Sequence, residues 1–267
     1  MKVVLLCNVS GNQRALAHRL AQRFALAAIG VIAIPPPSKP VPFLGKLALA
    51  AVGLPFRRAW FGMLGHYDRL FPAFPDVPLS RHQGVNSASV VSLIEAERPD
   101  LVLVSGTDLL RKPLIDRIME SGRIMNLHTG LSPYIKGGPN CTNWALALGE
   151  FDMIGNTIMW LDAGIDSGNI VATERTPLDG RESLLDLHIK VMDHAHDLYV
   201  RAVAAAVAGA DLPSVPQDRI DKGRLFLTKH WTTARSARAL FNFLARYRPA
   251  ALAAQRQLEL IALGRID

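Results

Sequence analysis

Two polar residues at the end of one apolar strand constrain this chain more than any other feature. The run Arg123–His128 is typical of a buried β-strand and ends with Asn126, Leu127 and His128. Side chains two positions apart on a strand point to the same side, so the Asn126 amide and the His128 imidazole are expected to share one face. Five of the next residues, within 130–139, are glycine or proline, which predicts a shaped loop directly after the strand.

A second strand and an acidic turn follow this loop. The run GNTIMWL at residues 155–161 has the composition of a buried strand and leads into Asp162, Gly164, Asp166 and Gly168. Loops that follow buried strands are common places for functional side chains, because the rigid sheet positions them. We therefore expect a carboxylate to be held over a pocket at this point of the chain.

The N-terminal residues predict the opening of an open α/β sheet. An apolar strand at Lys2–Cys7 precedes a turn with one glycine and then an amphipathic helix over residues 14–26. One glycine is too few for a dinucleotide-binding loop. The N–H groups at a helix start can bind a phosphate, so this turn either holds the phosphate of an acceptor substrate or is purely structural. Its polar and small residues are Asn8, Ser10, Gly11 and Asn12.

The remaining pattern predicts further strands and helices around the same sheet. Leu101–Ser105 is nearly all apolar, as strands buried on both faces of a parallel sheet are. The other expected elements are a strand at 30–34, a helix at 88–97 with Ser87 as its N-cap, a helix from Pro113 to Met119, an edge strand at 169–175, a helix at 183–208 and a strand at 223–227. The predicted fold class is α/β, with an open, mostly parallel Rossmann-like sheet flanked by helices. We expect one catalytic domain, residues 1–210, and a C-terminal extension, residues 211–267.

Residues 38–85 form an insert for which two interpretations stay open. Phe43–Leu54 is apolar apart from Lys46, and Pro55–Phe71 mixes arginines with aromatic residues. A membrane span needs about 20 mostly apolar residues, and this run is shorter. The segment is therefore either a helical insert packed on the domain's own core or a peripheral membrane contact through residues 43–71.

Charge and cysteine content narrow the range of partners. The chain has 267 residues, a formal net charge of +7 and a pI near 9.7, which indicates either attraction to anionic ligands or a solvated basic surface. Cys7 and Cys141 show no pairing pattern, and the start MKVVLLCNVSG is typical of a strand rather than a signal peptide, so we expect a cytoplasmic protein. The histidines of the long helix lack the spacing of zinc ligands, and no metal is expected.

Residues 99–171 resemble the formyltetrahydrofolate-dependent formyltransferases. These enzymes share an Asn-x-His strand end, a proline-containing loop with a basic residue and a glycine, a Gly-x-Thr strand and an Asp-Gly turn. The same features are present here at Pro133, Lys136, Gly137, Gly155, Thr157, Asp162, Gly164 and Gly168. The resemblance implies this family's fold and formyl transfer from 10-formyltetrahydrofolate. It also implies that the catalytic residues are Asn126, His128 and Asp166.

The resemblance further implies where the ligands bind. The backbone around Leu109, Leu110 and Arg111 would border the folate pocket, and so would Asp162 and Ile165. Lys136 holds the family's basic loop position and is expected to face the folate tail, the acceptor or solvent. In the loop expected at 137–144, Asn140 and Trp144 would hydrogen-bond and stack on the sugar or base of an acceptor.

The sequence favours one acceptor among those that the family uses. Methionyl-tRNA formyltransferases carry a C-terminal β-barrel for tRNA, whereas about sixty mostly helical residues follow the long helix here, so no nucleic acid is expected. Glycinamide ribonucleotide transformylases have a histidine seven residues before the aspartate, where this chain has Met159. The expected acceptor is therefore a small phosphorylated amine, an amino-sugar nucleotide. Glycinamide ribonucleotide stays open as an alternative acceptor, and formyltetrahydrofolate hydrolysis as an alternative activity. A homodimer also stays open.

Overall fold

The computed structural model describes residues 1–33, 43–138, 140–162, 167–254 and 256–263, with side chains in the helix that starts at residue 43 described from residue 52 onward. The strands are β1 Val3–Asn8, β2 Leu26–Ile32, β3 Leu79–His82, β4 Leu101–Ser105, β5 Arg123–His128, β6 Lys136–Gly137, β7 Gly155–Trp160, β8 Ile170–Arg175 and β9 Leu225–Phe226. The helices are α1 Gly11–Ala21, α2 Phe43–Leu70, α3 Ala88–Glu97, α4 Lys112–Met119, α5 Cys141–Leu148, α6 Leu184–Val207, α7 Thr233–Arg246 and α8 Pro249–Ala253.

Seven strands form the central sheet in the order β3-β2-β1-β4-β5-β7-β8. The first five strands of this order are parallel to one another. At one edge β7 pairs antiparallel with β5, and β8 pairs antiparallel with β7. β1 and β4 occupy the middle, and their apolar residues are buried on both faces, which is why these strands lack alternation of polar and apolar residues. The expected open, mostly parallel sheet is therefore confirmed.

Helices cover both faces of this sheet. The core on one face joins α1 and α6 to the strands, and the core on the other face joins α3 and α4 to them. α6 is tied to the sheet centre by Tyr199, whose hydroxyl donates to the Met125 carbonyl at 2.5 Å and accepts from the Val104 N–H at 3.0 Å. Burial raises the pKa of Tyr199, so the hydroxyl stays a neutral donor.

The insert is largely one helix, α2, which continues through Pro55. It packs against α1, α6 and α7, and buries Met63 and Tyr67 beside Met192 of α6. The expected helical insert on the domain's own core is thus confirmed, while the insert also supplies β3, which we did not expect. Among the described residues, none of the helices combines the length and the hydrophobicity that crossing a bilayer requires.

The C-terminal extension packs on the rest of the domain. Asn242 of α7 donates from its amide to the carbonyls of Leu146 and Ala147, where α5 ends. The Tyr247 hydroxyl donates to Glu182 at 2.7 Å. Because the extension shares a hydrophobic core with α5 and α6, it is built into the fold, and the boundary at residue 210 stays a prediction.

Several predicted boundaries were wrong. The first helix runs from Gly11 to Ala21 rather than over residues 14–26. It cannot extend to residue 26, because β2 begins there, four residues earlier than expected. The loop expected at 137–144 is a helix from Cys141 onward. Asn140 is the N-cap of that helix, because its side-chain oxygen accepts the Asn143 N–H at 3.0 Å.

Candidate functional site

A cleft opens where β4 and β5 end, at the edge of the sheet where ligands bind in open α/β folds. Its cavity measures about 160 Å³. The lining residues come from three segments: the end of β4 with the loop after it, the end of β5, and the turn after β7. They are Val104, Gly106, Thr107, Asp108, Leu109, Leu110, Asn126, Leu127, Met159, Leu161, Asp162, Ser167 and Gly168.

The C-terminal end of β5 carries Asn126 and His128. Asn126 is partly buried and lines the cavity, directly opposite Met159 of β7 in the sheet register. His128 is 9% exposed, and its Nε2 atom lies 3.5 Å from the Cys141 sulfur at the start of α5. The period of two in a strand puts both side chains on one face of β5, with the amide lining the cavity and the imidazole two residues further along the strand.

Thr157 fixes the loop that follows His128. The two residues face each other across the β5–β7 pair. The Thr157 hydroxyl is fully buried, donates to the Gly130 carbonyl at 2.7 Å and accepts the Ser132 N–H at 2.9 Å. The Ser132–Pro133 peptide in this loop is cis. The Thr157 side chain thus hydrogen-bonds to the loop at two points, which restrains the backbone next to the imidazole.

Gly130 is required by the close approach of the histidine. A Cβ atom at this position would overlap Nε2 of His128 and would come within 2.8 Å of the Cys141 sulfur. Real Cβ atoms essentially never approach other atoms so closely. The glycine therefore makes room for the imidazole rather than providing an unusual backbone angle.

We expect Gly130→Ala to lower the turnover of this site about 100-fold, because a side chain displaced by about 1 Å from its working position loses about that much rate. Gly138→Ala is the matched control in the same loop, since a Cβ atom there would meet no atom within 4 Å. Steady-state rates of the two variants give the comparison. Equal rates for both variants would show that the position of the imidazole does not matter.

The acidic turn borders the cavity on its other side. Asp162 is exposed and accepts a hydrogen bond from the Ser167 hydroxyl at 2.6 Å. Asp166 and Ile165 lie in residues 163–166, which are outside the described residues, so their expected roles stay predictions. Both residues that flank this segment, Asp162 and Ser167, line the cavity.

Two of the three residues expected at 109–111 to border a folate pocket line this cavity, and their role toward a folate stays a prediction. Leu109 and Leu110 line the cavity, and Leu109 is 57% exposed. Arg111 is not among the lining residues; it is the N-cap residue of α4, and its backbone N–H donates to the Asn86 side chain at 2.7 Å. The described geometry thus supplies apolar walls without a cation from this loop.

The N-terminal turn lies beside the cavity but is covered by α2. Asn8 donates to the carbonyl of Gly106, a lining residue, at 2.6 Å, and its own oxygen accepts the Ser10 N–H. Gly11 and Asn12 are buried. A Cβ atom on Gly11 would overlap the Asp68 carboxylate of α2, so a carboxylate occupies the positive end of α1. A phosphate at that end would meet this charge.

Lys136 borders a second, polar cavity of about 300 Å³ that shares Ser167 with the first. Its other lining residues are Asn169, Pro216, Gln217, Asp218, Asp221 and Lys222. Asn140 serves as a helix cap, and Trp144 is 1% exposed because it stacks on Phe226 at 4.4 Å between ring centroids. The structure therefore does not bring the Trp144 ring to either cavity.

Sequence reasoning missed Gln217. Its amide donates to the Gly168 carbonyl at 2.8 Å and its oxygen accepts from Lys136 at 3.4 Å. It thereby connects the acidic turn to the basic loop position. Nothing local marks this residue, because it lies in the extension, about 50 residues beyond the turn that it contacts.

An open α/β sheet with an amide and an imidazole at the ligand-binding edge defines a small-molecule binding or catalytic domain of the Rossmann-like class. Comparisons with known proteins are more specific. Residues 71–203 match the formyl transferase family. The methionyl-tRNA formyltransferase of Syntrophus aciditrophicus is 31% identical over 143 residues, which are 53% of this chain and 44% of that protein. The chain belongs to the formyl transferase family.

Solved structures share the fold over most of the chain. A sugar N-formyltransferase from a Shewanella species superposes with a TM-score of 0.55 at 16% identity, covering 91% of this chain and 88% of that one. The N-formyltransferase of Helicobacter canadensis, solved with folinic acid and dTDP-3-aminofucose, has a TM-score of 0.57 at 12% identity, covering 91% and 81%. The chain spans less than half the length of the curated relatives that it matches.

Proposed function

We propose that this protein transfers a formyl group from 10-formyltetrahydrofolate to the primary amine of an amino-sugar nucleotide. The observation that carries the proposal is the Asn126 amide at the cavity, with His128 on the same face of the strand. Family membership supports the formyl donor, and the relative solved with folinic acid supports a folate ligand.

In our proposal the cleft, at about 160 Å³, holds only the pterin end of the folate, because sites that hold a whole ligand measure roughly 300–1,000 Å³. Its lining combines the apolar side chains of Leu110 and Met159 with the polar Asn126 and the backbone near Gly106. When bound, 10-formyltetrahydrofolate supplies an activated formyl group to be attacked by the acceptor amine. No covalent bond to the protein is required, so Cys141 acts as a neighbour of His128 rather than as a nucleophile.

The polar side chains act on the charge and the proton of this reaction. Amine attack places negative charge on the formyl oxygen, and fixed donors at that oxygen are the largest catalytic contribution available. The Asn126 amide and an N–H of His128 are those donors in our proposal. Asp166 would orient the imidazole and, through a water, accept the proton that the amine loses.

The choice of acceptor rests on two observations. Met159, which cannot titrate, faces Asn126 where the purine enzymes have a histidine. The second cavity offers Lys136 and Lys222 to a phosphate and Asp218 and Asp221 to a sugar hydroxyl or an amine.

A panel of acceptors tests the proposal. The protein is incubated with 10-formyltetrahydrofolate and a mixture of amino-sugar nucleotides, glycinamide ribonucleotide and methionyl-tRNA, and mass spectrometry records which amine gains one formyl group. We expect the gain on an amino-sugar nucleotide. Formylation of glycinamide ribonucleotide or methionyl-tRNA alone would refute the acceptor, and formate release at equal rate without any amine would indicate a hydrolase.

A cytoplasmic location is part of the proposal. Cys7 and Cys141 are both buried and are not joined by a disulfide, as expected in a reducing compartment. The formyl donor and nucleotide-linked sugars are found in that compartment as well.

A further inference from the structure

The strongest surface feature outside the site lies on two neighbouring helices, α2 and α7. On α7, Phe241 is 63% exposed and Leu244 is 69% exposed, and residues three apart lie on one helical face. On α2, Phe61 is 60% exposed and Leu54 is 40% exposed, again at helical spacing. The two helices pack against each other, with Phe56 of α2 edge-on to Trp231, just before α7. We name the exposed face of these helices the apolar–basic surface.

Arginines accompany these apolar side chains. Arg238 lies three residues before Phe241 on α7, and Arg248 lies just after the end of that helix, as the N-cap of α8. Arg57 and Arg58 lie between Leu54 and Phe61. All four arginines are exposed, and among the described residues none of them forms an ion pair. By contrast, Arg117 and Arg201 are each paired with two carboxylates.

The two segments that contain most of this surface have no acidic residues. Residues 222–258 contain eight Lys or Arg and no Asp or Glu, and residues 1–67 likewise contain eight and none. These two segments therefore carry +16, although the whole chain carries +7, so the rest carries −9. The segregation of charge leaves α7 and most of α2 without any acid to neutralise their arginines.

From this combination we infer that the apolar–basic surface binds peripherally to a membrane that contains anionic lipids. Large apolar side chains flanked by arginines on exposed helical faces match an interfacial helix, in which the apolar groups enter the acyl boundary and the cations meet headgroups. A symmetric contact between two copies would place these unpaired arginines opposite one another, which is repulsive. A nucleic acid would use the cations but would leave Leu54 and Leu244 without a partner.

Vesicle sedimentation tests the inference. Full-length protein is mixed with vesicles of phosphatidylcholine alone or with added phosphatidylglycerol, and the bound fraction is measured. We expect binding only when phosphatidylglycerol is present, and weaker binding at high salt because exposed charges are screened. The double variant Phe241→Ser/Leu244→Ser should lower the partition coefficient about 10- to 100-fold, because two large apolar groups no longer enter the bilayer.

Matched variants distinguish binding through this surface from nonspecific adsorption to vesicles. Met119→Ser removes an equally exposed apolar side chain, 62% exposed, from α4 on the opposite face of the sheet, and should leave vesicle binding unchanged. Arg238→Gln/Arg248→Gln should weaken binding and its salt dependence together. Thermal unfolding of each variant verifies that it is folded.

Three results would overturn the inference. The first is equal binding to both kinds of vesicle or to neither. The second is a dimer in light scattering that Phe241→Ser/Leu244→Ser converts to monomer. The third is binding to transfer RNA that Arg238→Gln/Arg248→Gln abolishes, with no binding to vesicles. The vesicle assay uses no folate or amine, so its outcome is independent of the proposed formyl transfer.

Discussion

Replacing Asn126 or His128 with alanine is expected to lower kcat for formyl transfer about 100- to 1000-fold, the usual cost of removing one donor to a developing oxyanion. Asn126 reaches the cavity from the end of a parallel strand, and the Thr157 hydroxyl restrains the loop that follows His128. In our proposal both side chains are donors that are positioned before substrate binds. Their effect is expected mainly in kcat, because the charge on the oxygen exists only in the transition state.

Conservative substitutions distinguish a donor role from a structural one. Asn126→Asp keeps the shape of the side chain but removes the N–H donor, and should lose nearly as much activity as Asn126→Ala. The double variant Asn126→Ala/His128→Ala should be little slower than the slower single variant, since groups acting on one oxygen are not additive. The exposed residue His230 provides a control, and His230→Ala should keep full activity. Near-normal turnover in both single alanine variants would remove these residues from the mechanism.

The second large effect is a loss of stability in mild acid. We expect the free energy of unfolding to fall by about 4 kcal/mol between pH 7 and pH 5, through two buried histidines of α6. His188 is 3% exposed and His196 is fully buried. Burial lowers the pKa of His188 to about 4 and that of His196 to about 3, and Arg19 adds to the effect on His196.

The surroundings of these rings explain why they stay neutral. His196 packs against Tyr67 of α2 and His188 against Trp60, and both nitrogens of His196 and Nε2 of His188 lack a partner among the described residues. Asp193 is paired with Arg19 and accepts from the Tyr67 hydroxyl, so its charge is already used nearby. Protonation would therefore place an unpaired cation in the packing between α2 and α6.

The direction of the effect follows from proton binding. A histidine ordinarily titrates near 6.5, so between pH 6.5 and about 4 the unfolded chain binds protons that the folded chain does not, and acid favours unfolding. Each histidine then costs about 2 kcal/mol at pH 5. The carboxylates do not contribute in this range: ion pairs and hydrogen bonds lower the pKa values of Glu174 and Glu182 to about 2, so their contribution to stability is lost only below about pH 4.5.

Urea unfolding at pH 7 and pH 5 measures this difference. The variants His188→Phe and His196→Phe keep an aromatic ring but cannot be protonated, so each should remove about half of the pH dependence, whatever its own stability at pH 7. A wild-type free energy of unfolding that is the same at both pH values would contradict the burial of these rings as neutral groups.

Local patterns were sufficient for the elements that position the site. β4 and α3 have the predicted bounds, because each is an apolar or amphipathic run between residues that favour turns or caps. The period of two in a strand also predicted that Asn126 and His128 share one face of β5, whereas their catalytic role stays a prediction. The start of β2 was missed, because the run at 26–30 is rich in alanine and suits a helix as well as a strand.

The residues that were misplaced depend on distant contacts. Trp144 suited a ligand-stacking role in the sequence, but Phe226, 82 residues later, buries its ring in the core. Gln217 was overlooked for the same reason, since its partner Gly168 is 49 residues away. Gly11 appeared suited to phosphate binding until the insert brought Asp68 against it. In each case a tertiary contact, which no short segment encodes, decides the role.

The most direct test of the central claim is a crystal structure of the protein with folinic acid. We expect the pterin to lie in the cleft lined by Leu110, Asn126 and Gly168, with the amide of Asn126 facing the ligand. Folinic acid bound only in the polar cavity around Lys136 and Gln217, or at a surface away from the end of β5, would contradict it.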